Sequence, residues 1–314
     1  MNYLKDYREG EKFVGTYLCK QKQILKTKAG KTYYSLTLQD KTGTADGKIW
    51  ERNNGIANFE PMDYIHCEGM VTSFQGNLQM NISRVRISDE GEYDPADYVP
   101  CTNKDVGEMF SRILKYVASV QNKYLRKILE MYFVENKEFV DAFKKHSAAK
   151  SVHHGFMGGL LEHTLSVTDM CLYFAEHYPM IHRDLLITAA LFHDMGKIQE
   201  ISDFPMNDYT DDGQLLGHIY IGARCMENAA AQIPNFPPKL KNELVHCILA
   251  HHGKMEFGSP KVPAIMEAMA LHMADNADAK LQTLTEVFTQ AGDNMGWLGF
   301  NRMFESNLRK TSEE

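Results

Sequence analysis

The chain has 314 residues, of which 44% are hydrophobic and 24% charged, and carries a net charge of −7. That length allows two domains with cores of their own, and no apolar run approaches the roughly 18 residues needed to span a bilayer. The cysteines, at 19, 67, 101, 171, 225 and 247, form no CxxC pair, which argues against a disulfide framework and against a thiolate zinc site.

The N-terminal MNYLKDYREGEKF is polar and charged, so we expect no secretory signal, no membrane partner and a cytoplasmic location. From Lys12 to Gln39 there is no acidic residue, although Lys12, Lys20, Lys22, Lys26, Lys28 and Lys31 all fall there. A solvated lysine-bearing hairpin and a surface for a polyanion both fit this pattern.

Residues 13 to 88 read as short strands rich in β-branched and aromatic residues, punctuated by AG, KTG, DG and QGN turns. About five strands in so short a span predict a small barrel over 1–90, and the OB-fold is the commonest such barrel that binds oligonucleotides. Such barrels hold single strands with a basic groove and stacked aromatics. The candidates are Lys22, Lys26, Lys28 and Lys31 with Tyr33, Tyr34 and Trp50; Phe59, Phe74, Lys48 and Arg52 are also at hand. Adjacent strand positions face opposite sides, so about half of these aromatics belong to the core. Residues 91–104, acidic and holding two prolines, read as a linker.

From 105 to 314 the apolar spacing turns helical, which predicts an all-α domain. Segments such as NKYLRKILEMYFV, LLEHTLSVTDMCLYFAEHY, RDLLITAALFHDMGK and PKLKNELVHCILAHHG carry the pattern, and ISDFPMNDYTDDGQLL reads as a loop or short hairpin. The helices hold an ordered set of polar residues: His163, the pair His193–Asp194, His218, the pair His251–His252, and Asp275. A lone histidine on an apolar helix is commonly a packed one, an HD dipeptide arises often by chance, and HHG can be a helix cap. Seven such residues in or beside helix ends are better read as one cluster. Imidazole and carboxylate donors suit Mn, Fe, Co, Ni or Zn, ligands from several helices converge inside bundles, and a set without thiolates points to an open catalytic site. Lys197 lies one turn beyond Asp194, placed to lean over the cluster or to answer the helix dipole.

This ordered set resembles the HD-domain phosphohydrolase superfamily. Together with the barrel and the segment HHGFMGGLLEHTLSV, the chain resembles the YhaM-type 3′→5′ exoribonucleases. The resemblance implies that His163, His193, Asp194 and Asp275 hold a primary divalent ion, and that Asp194 bridges to a second ion held by His218, His251 and His252. The HH pair supplies one ligand or two; His272, on the same helical face as Asp275, is a rival read as packing. Manganese is the expected metal, with Fe, Co, Ni, Zn or Mg as alternatives.

The resemblance further implies hydrolysis of single-stranded RNA, and of single-stranded DNA as a second substrate, to nucleoside 5′-monophosphates by a metal-bound hydroxide. Asp194 and Lys197 are the catalytic candidates. His153 and His154, before the GFMGG turn, are candidates for a phosphate contact, a plain loop being the alternative. A homo-oligomer is implied as well. Two other readings stay open: a hydrolase of a small nucleotide, such as a dNTP or cyclic dinucleotide, and a strand-binding protein with an idle HD site. Against the cyclic dinucleotide, HHG continues as Lys254, Met255 and Glu256 rather than as the GYP of that signalling subfamily.

Overall fold

A computed structural model of the chain describes residues 2–50, 55–150 and 154–312. The chain divides into two units, one reaching to Cys101 together with Phe204–Met206, the other formed by Thr102–Asp203 and the residues from Asn207 onward.

In the first unit, strands β1 (Lys12–Lys26), β2 (Thr32–Asp40), β3 (Gly43–Ile49), β4 (Tyr64–Phe74) and β5 (Asn77–Ile87) close into a barrel of order β1-β2-β3-β5-β4. All neighbours are antiparallel except β3 and β5, and this five-stranded Greek-key closure is the OB-fold. Alternation drives it: Leu36 and Leu38 of β2 turn inward beside Phe13, Tyr17, Ile65 and Met80, as period-two patterning requires. Beyond Cys19 the register of β1 against β2 shifts, and Gln21 to Lys26 are mostly exposed, so the lysine-rich segment leaves the barrel wall as an arm.

The segment expected as a linker is largely packed on the barrel. Asp97 accepts hydrogen bonds from Tyr3 Oη at 2.9 Å and Lys41 Nζ at 2.7 Å. Tyr98 is buried against Tyr64, on which Tyr93 also stacks at 4.1 Å. Aromatic burial here outweighs the prolines and acidic residues that suggested a free connection.

The second unit is helical: α1 (Val106–Ser119), α2 (Lys123–Glu130) with a π-helical extension at Met131–Glu135, α3 (Lys137–Lys145), α4 (Gly159–His177), α5 (Arg183–Phe192), the short α6 (Lys197–Glu200), α7 (Asp211–Gln232), α8 (Pro238–Ala250) and α9 (Met266–Gln290). Side chains satisfy the free N–H groups at several starts: Asp105 accepts from Glu108 N, Asn136 from Phe139 N and Thr210 from Gly213 N. Every residue of α5 from Leu185 to Phe192 is buried. A helix apolar on all sides belongs at the centre of a bundle, so α5 carries its C-terminal end, with His193 and Asp194, into the interior.

Two local differences from the sequence expectation stand out. Residues 211–216, expected within a loop, form the first turns of α7, which bends at Gly217. The chain after α9 adds a two-stranded hairpin, β6 (Trp297–Asn301) and β7 (Ser306–Arg309), within a stretch expected to be helical.

Phe133, Phe139, Phe143 and Phe192 pack with ring centroids 5.3–5.7 Å apart, clamping α3 against the end of α5. Phe143→Ala removes a fully buried ring and is expected to lower the stability of the helical unit by about 3–5 kcal/mol. Urea unfolding followed by helical circular dichroism measures it; a loss below about 1 kcal/mol would mean that the site collapses around the gap.

Candidate metal centre

Five imidazoles of the helical unit are held by the same device: each Nδ1 has an acceptor, so Nε2 is left to face inward. His193 Nδ1 donates to the Ala190 carbonyl at 2.8 Å, His251 to Ile248 at 2.6 Å and His252 to Phe257 at 2.8 Å. His163 Nδ1 meets Asp278 Oδ2 at 2.6 Å, and His218 Nδ1 meets Glu200 Oε1 at 2.9 Å. Second partners of this kind fix the tautomer of a metal-binding histidine and leave its other nitrogen as a lone-pair donor.

The Nε2 atoms then converge in two groups, His163 and His193 with Asp275, and His218 and His251 with His252, the donor atoms of each group lying within 4.8 Å of one another. Asp194 touches both. Its Oδ2 lies 3.3 Å from His163 Nε2 and 3.5 Å from His193 Nε2, while its Oδ1 lies 3.6 Å from Nε2 of both His218 and His251.

This donor set fits divalent ions. Asp194 Oδ1 and His251 Nε2 are buried and have no hydrogen-bond partner among the described residues, a costly state for polar atoms unless a cation sits beside them. Nε2 of His163 and His193 face each other at 3.1 Å, as do those of His218 and His252 at 3.4 Å. Where neither nitrogen carries a proton, two lone pairs at that distance repel. A metal about 2.1 Å from each nitrogen turns the repulsion into coordination, because tetrahedral or octahedral geometry then spaces neighbouring donors about 3.0–3.4 Å apart.

The charges are arranged to match. Burial tends to raise the carboxyl of Asp194, but Lys197 and His193 outweigh it and hold the group well below the carboxylate range. Burial and the neighbouring His251 push His252 down to about 4, leaving it neutral and ready to bind metal near pH 7. At His163 burial acts downward, yet hydrogen bonds to Asp194, Asp275 and Asp278 win and raise it, so a proton and a metal ion compete for that nitrogen. Lys197 opens α6 with Nζ 2.6 Å from Asp194 Oδ2. Together with His163, His252, Lys254, Asp275 and Lys280 it lines a cleft of about 590 Å³.

Backbone requirements explain how His218 reaches this place. Gly217 has φ +73°, a conformation glycine adopts freely. It turns both the N–H and the ring of His218 onto Glu200 Oε1, each at 2.9 Å. At Gly196 a β-carbon would lie 2.1 Å from the His218 carbonyl oxygen, so the glycine of LFHDMGK is what lets α7 run alongside the HD turn.

All seven expected ligands therefore meet at one centre. Asp278 and Glu200, which orient His163 and His218, were not among the expected residues; the DNAD spacing puts Asp278 one turn beyond Asp275, the one signal available for it. His272 Nδ1 donates to the His251 carbonyl at 2.9 Å, a packing role. His153 lies outside the described residues. His154 is buried, with Nε2 3.0 Å from Asp278 Oδ2, so it braces the carboxylate behind His163 rather than offering itself to a phosphate. At Gly159 a β-carbon would lie 2.0 Å from the His154 carbonyl oxygen, so this glycine makes room for backbone rather than for a phosphate.

On the barrel, Trp50 is exposed and stacks on Tyr33 at 4.8 Å, its Nε1 donating to Asn81 Oδ1 at 2.9 Å. Lys26, Lys28 and Lys31 are exposed. Lys22 is not available to a strand: its amine donates to the Phe59 carbonyl and lies 4.5 Å from the centre of that ring. Phe59 is core, Phe74 is exposed, and Tyr34 is partly buried against the core.

A family model described as HD domain matches residues 160–280, the span that holds all seven candidate ligands. Among known proteins, the chain is 32% identical over 293 residues to a protein named 3′-5′ exoribonuclease YhaM from Listeria innocua, covering 90% of each chain. It is 32% identical over 262 residues to that of Bacillus subtilis, covering 81% of each, and 32% identical over 257 residues to that of a Geobacillus strain, covering 81% of this chain and 78% of the relative. Among solved structures, the second OB-fold domain of replication protein A from Methanococcus maripaludis aligns with 29% of this chain and 98% of its own, at 20% identity and a TM-score of 0.24.

Asp278→Asn keeps the shape of the side chain behind His163 but weakens its hold on the ring. The variant is expected to lose about 10- to 100-fold in divalent-ion affinity while staying folded, measured by calorimetric titration of Mn²⁺. Unchanged affinity would mean that His163 needs no such partner. Gly217→Ala forces a non-glycine residue to positive φ, at about 1–3 kcal/mol, and should weaken the same titration through His218.

Proposed function

Because the chain belongs to the YhaM family of 3′→5′ exoribonucleases, we propose that the cluster around Asp194 shortens single-stranded RNA from its 3′ end, releasing nucleoside 5′-monophosphates. The protein is a metal-dependent 3′→5′ exoribonuclease. The observation that carries the assignment of its site is Asp194, whose two oxygens face two separate groups of imidazole nitrogens.

We read that bridge as holding two ions, His163, His193, Asp194 and Asp275 on one side and His218, His251, His252 and Asp194 on the other. A nitrogen-rich set with carboxylates and without thiolates favours manganese, with Fe, Co, Ni, Zn or Mg as alternatives. Bound there, divalent ions supply Lewis acidity toward the phosphate and a hydroxide nucleophile near neutral pH.

The remaining work falls to the chain's own groups. Asp278 and Glu200 keep two of the rings from rotating, which holds the donor atoms in place as charge develops on the phosphate. Lys197, raised above its ordinary value because Asp194 outweighs its burial, stays positive throughout and answers the charge on the non-bridging phosphate oxygens. On the barrel, Lys26, Lys28 and Lys31 with the Tyr33–Trp50 stack supply cations and ring faces to a single strand, without Lys22. A polymer grip of this kind supports RNA, with single-stranded DNA as a second substrate, over a free nucleotide.

No described helix is long and apolar enough to cross a membrane. The cysteines are all free, which suits a reducing, cytoplasmic setting. The same reading includes a homo-oligomer as the working form, checked by light scattering.

The decisive experiment is a time course on 5′-labelled single-stranded RNA with Mn²⁺, beside its DNA counterpart. A ladder shortening from the 3′ end, abolished by chelation and by Asp194→Ala, is the expected result. An intact oligomer in the presence of bound metal would overturn the reading. Lys197→Met, assayed at saturating Mn²⁺, should lower kcat by roughly 10²–10³; wild-type kcat would remove Lys197 from the chemistry.

A further inference from the structure

The hairpin β6–β7 lies beyond the span matched by the HD model, and no role has been assigned to it so far. Its connecting turn places Met303 in the wall of the cleft that also holds His163, Lys197 and Asp275. The hairpin is therefore part of the site's surroundings.

Its pairing has an irregularity with a chemical result. Trp297 pairs with Arg309 and Phe300 with Asn307, so three steps along β6 match two along β7. Positions 307 and 309 are two apart and share a face. Their partners Trp297 and Phe300 must share it too, the odd residue being absorbed by a bulge at Gly299, whose φ is +93°. Without the bulge the two aromatics would point to opposite sides.

The side chains bear this out. Trp297 is 69% and Phe300 66% exposed, and Asn307 and Arg309 are exposed with them, while Leu298 and Leu308 are half-buried. Two large rings, a guanidinium and an amide thus occupy one open face. Chain geometry puts Phe300 at most about 11 Å from Met303, roughly three stacked bases at 3.4 Å each.

We propose that this face is a base-stacking platform for the last nucleotides of the strand whose 3′ end enters the cleft. The inference rests on the exonuclease reading above and extends it. Ring faces accept any base, which suits an exonuclease that meets a new terminal base after each cut, and base–aromatic stacking is sequence-tolerant for that reason. Arg309 adds a cation for the strand's phosphates, and the continuity with the cleft through Met303 favours the substrate as occupant over a second copy of the chain.

The test compares two RNA 12-mers, one normal and one with its last three nucleotides abasic, on the full-length, metal-loaded protein. Wild type should show a KM about 10-fold or more higher for the abasic end. Trp297→Ala with Phe300→Ala should raise KM for the normal oligomer by roughly 5- to 100-fold, erase the discrimination against the abasic end, and leave kcat within about twofold. Phe300→Tyr should behave as wild type, which separates loss of a ring from loss of folding.

A double variant that keeps the wild-type KM, or still discriminates the abasic end, overturns the platform. A variant whose sedimentation shows a lower mass than wild type with unchanged discrimination makes the face a contact between copies, and overturns it as well. Failure of the exonuclease reading itself appears earlier and separately, as wild-type protein that leaves both oligomers intact.

Discussion

A carboxylate can stay ionised in a protein interior only where positive charge and hydrogen-bond donors surround it, and much of the helical unit follows from keeping Asp194 in that state. It sits at the end of a helix with no solvent-facing side, where an apolar core would by itself expel its charge. Lys197 follows within one turn, and four imidazoles close around the two oxygens. Removing Lys197 or a histidine leaves the charge less well compensated. The ligand cluster and the hydrophobic core are therefore one construction: the same buried α5 that organises the aromatic rings of the bundle delivers Asp194 to its partners.

The surrounding layer is as ordered as the ligands. No imidazole in the centre is left to choose its own tautomer, since backbone carbonyls hold three of them and carboxylates two. Carbonyls serve where a helix end supplies them free, as at the C-termini of α5 and α8, where the last turn has acceptors to spare. Asp278 and Glu200 serve where the histidine stands within or at the start of a helix and no carbonyl is in reach.

Much of this was legible in the sequence because side chains able to bind a metal are chemically distinctive and stand in a fixed order. His163, His193–Asp194, His218, His251–His252 and Asp275 stand out against an apolar helical background, and strand alternation with turn residues marked the barrel. What escaped was context. Asp278 and Glu200 look like surface charges until the fold buries them. Lys22 looks like a groove lysine until Phe59 folds beneath it, and His154 like an exposed loop residue until Asp278 meets it. The acidic segment around Asp97 and Tyr98 reads as a linker because its composition hides two tyrosines, Tyr93 and Tyr98, that pack on Tyr64 of the barrel. The C-terminal hairpin was missed because its strands span only 297–301 and 306–309, too short for periodicity to register.

The union of metal centre and core has one more consequence. Ions that bind the folded unit and not the unfolded chain stabilise it by mass action, by about 2.7 kcal/mol when the free ion stands at 100 times its dissociation constant. A domain of ordinary size has a margin of only about 5–15 kcal/mol. A shortage of divalent metal would then cost the hydrolytic unit stability as well as turnover. Metal starvation would thin the population of the enzyme through unfolding and proteolysis, a slower and less reversible brake on RNA decay than an empty site alone.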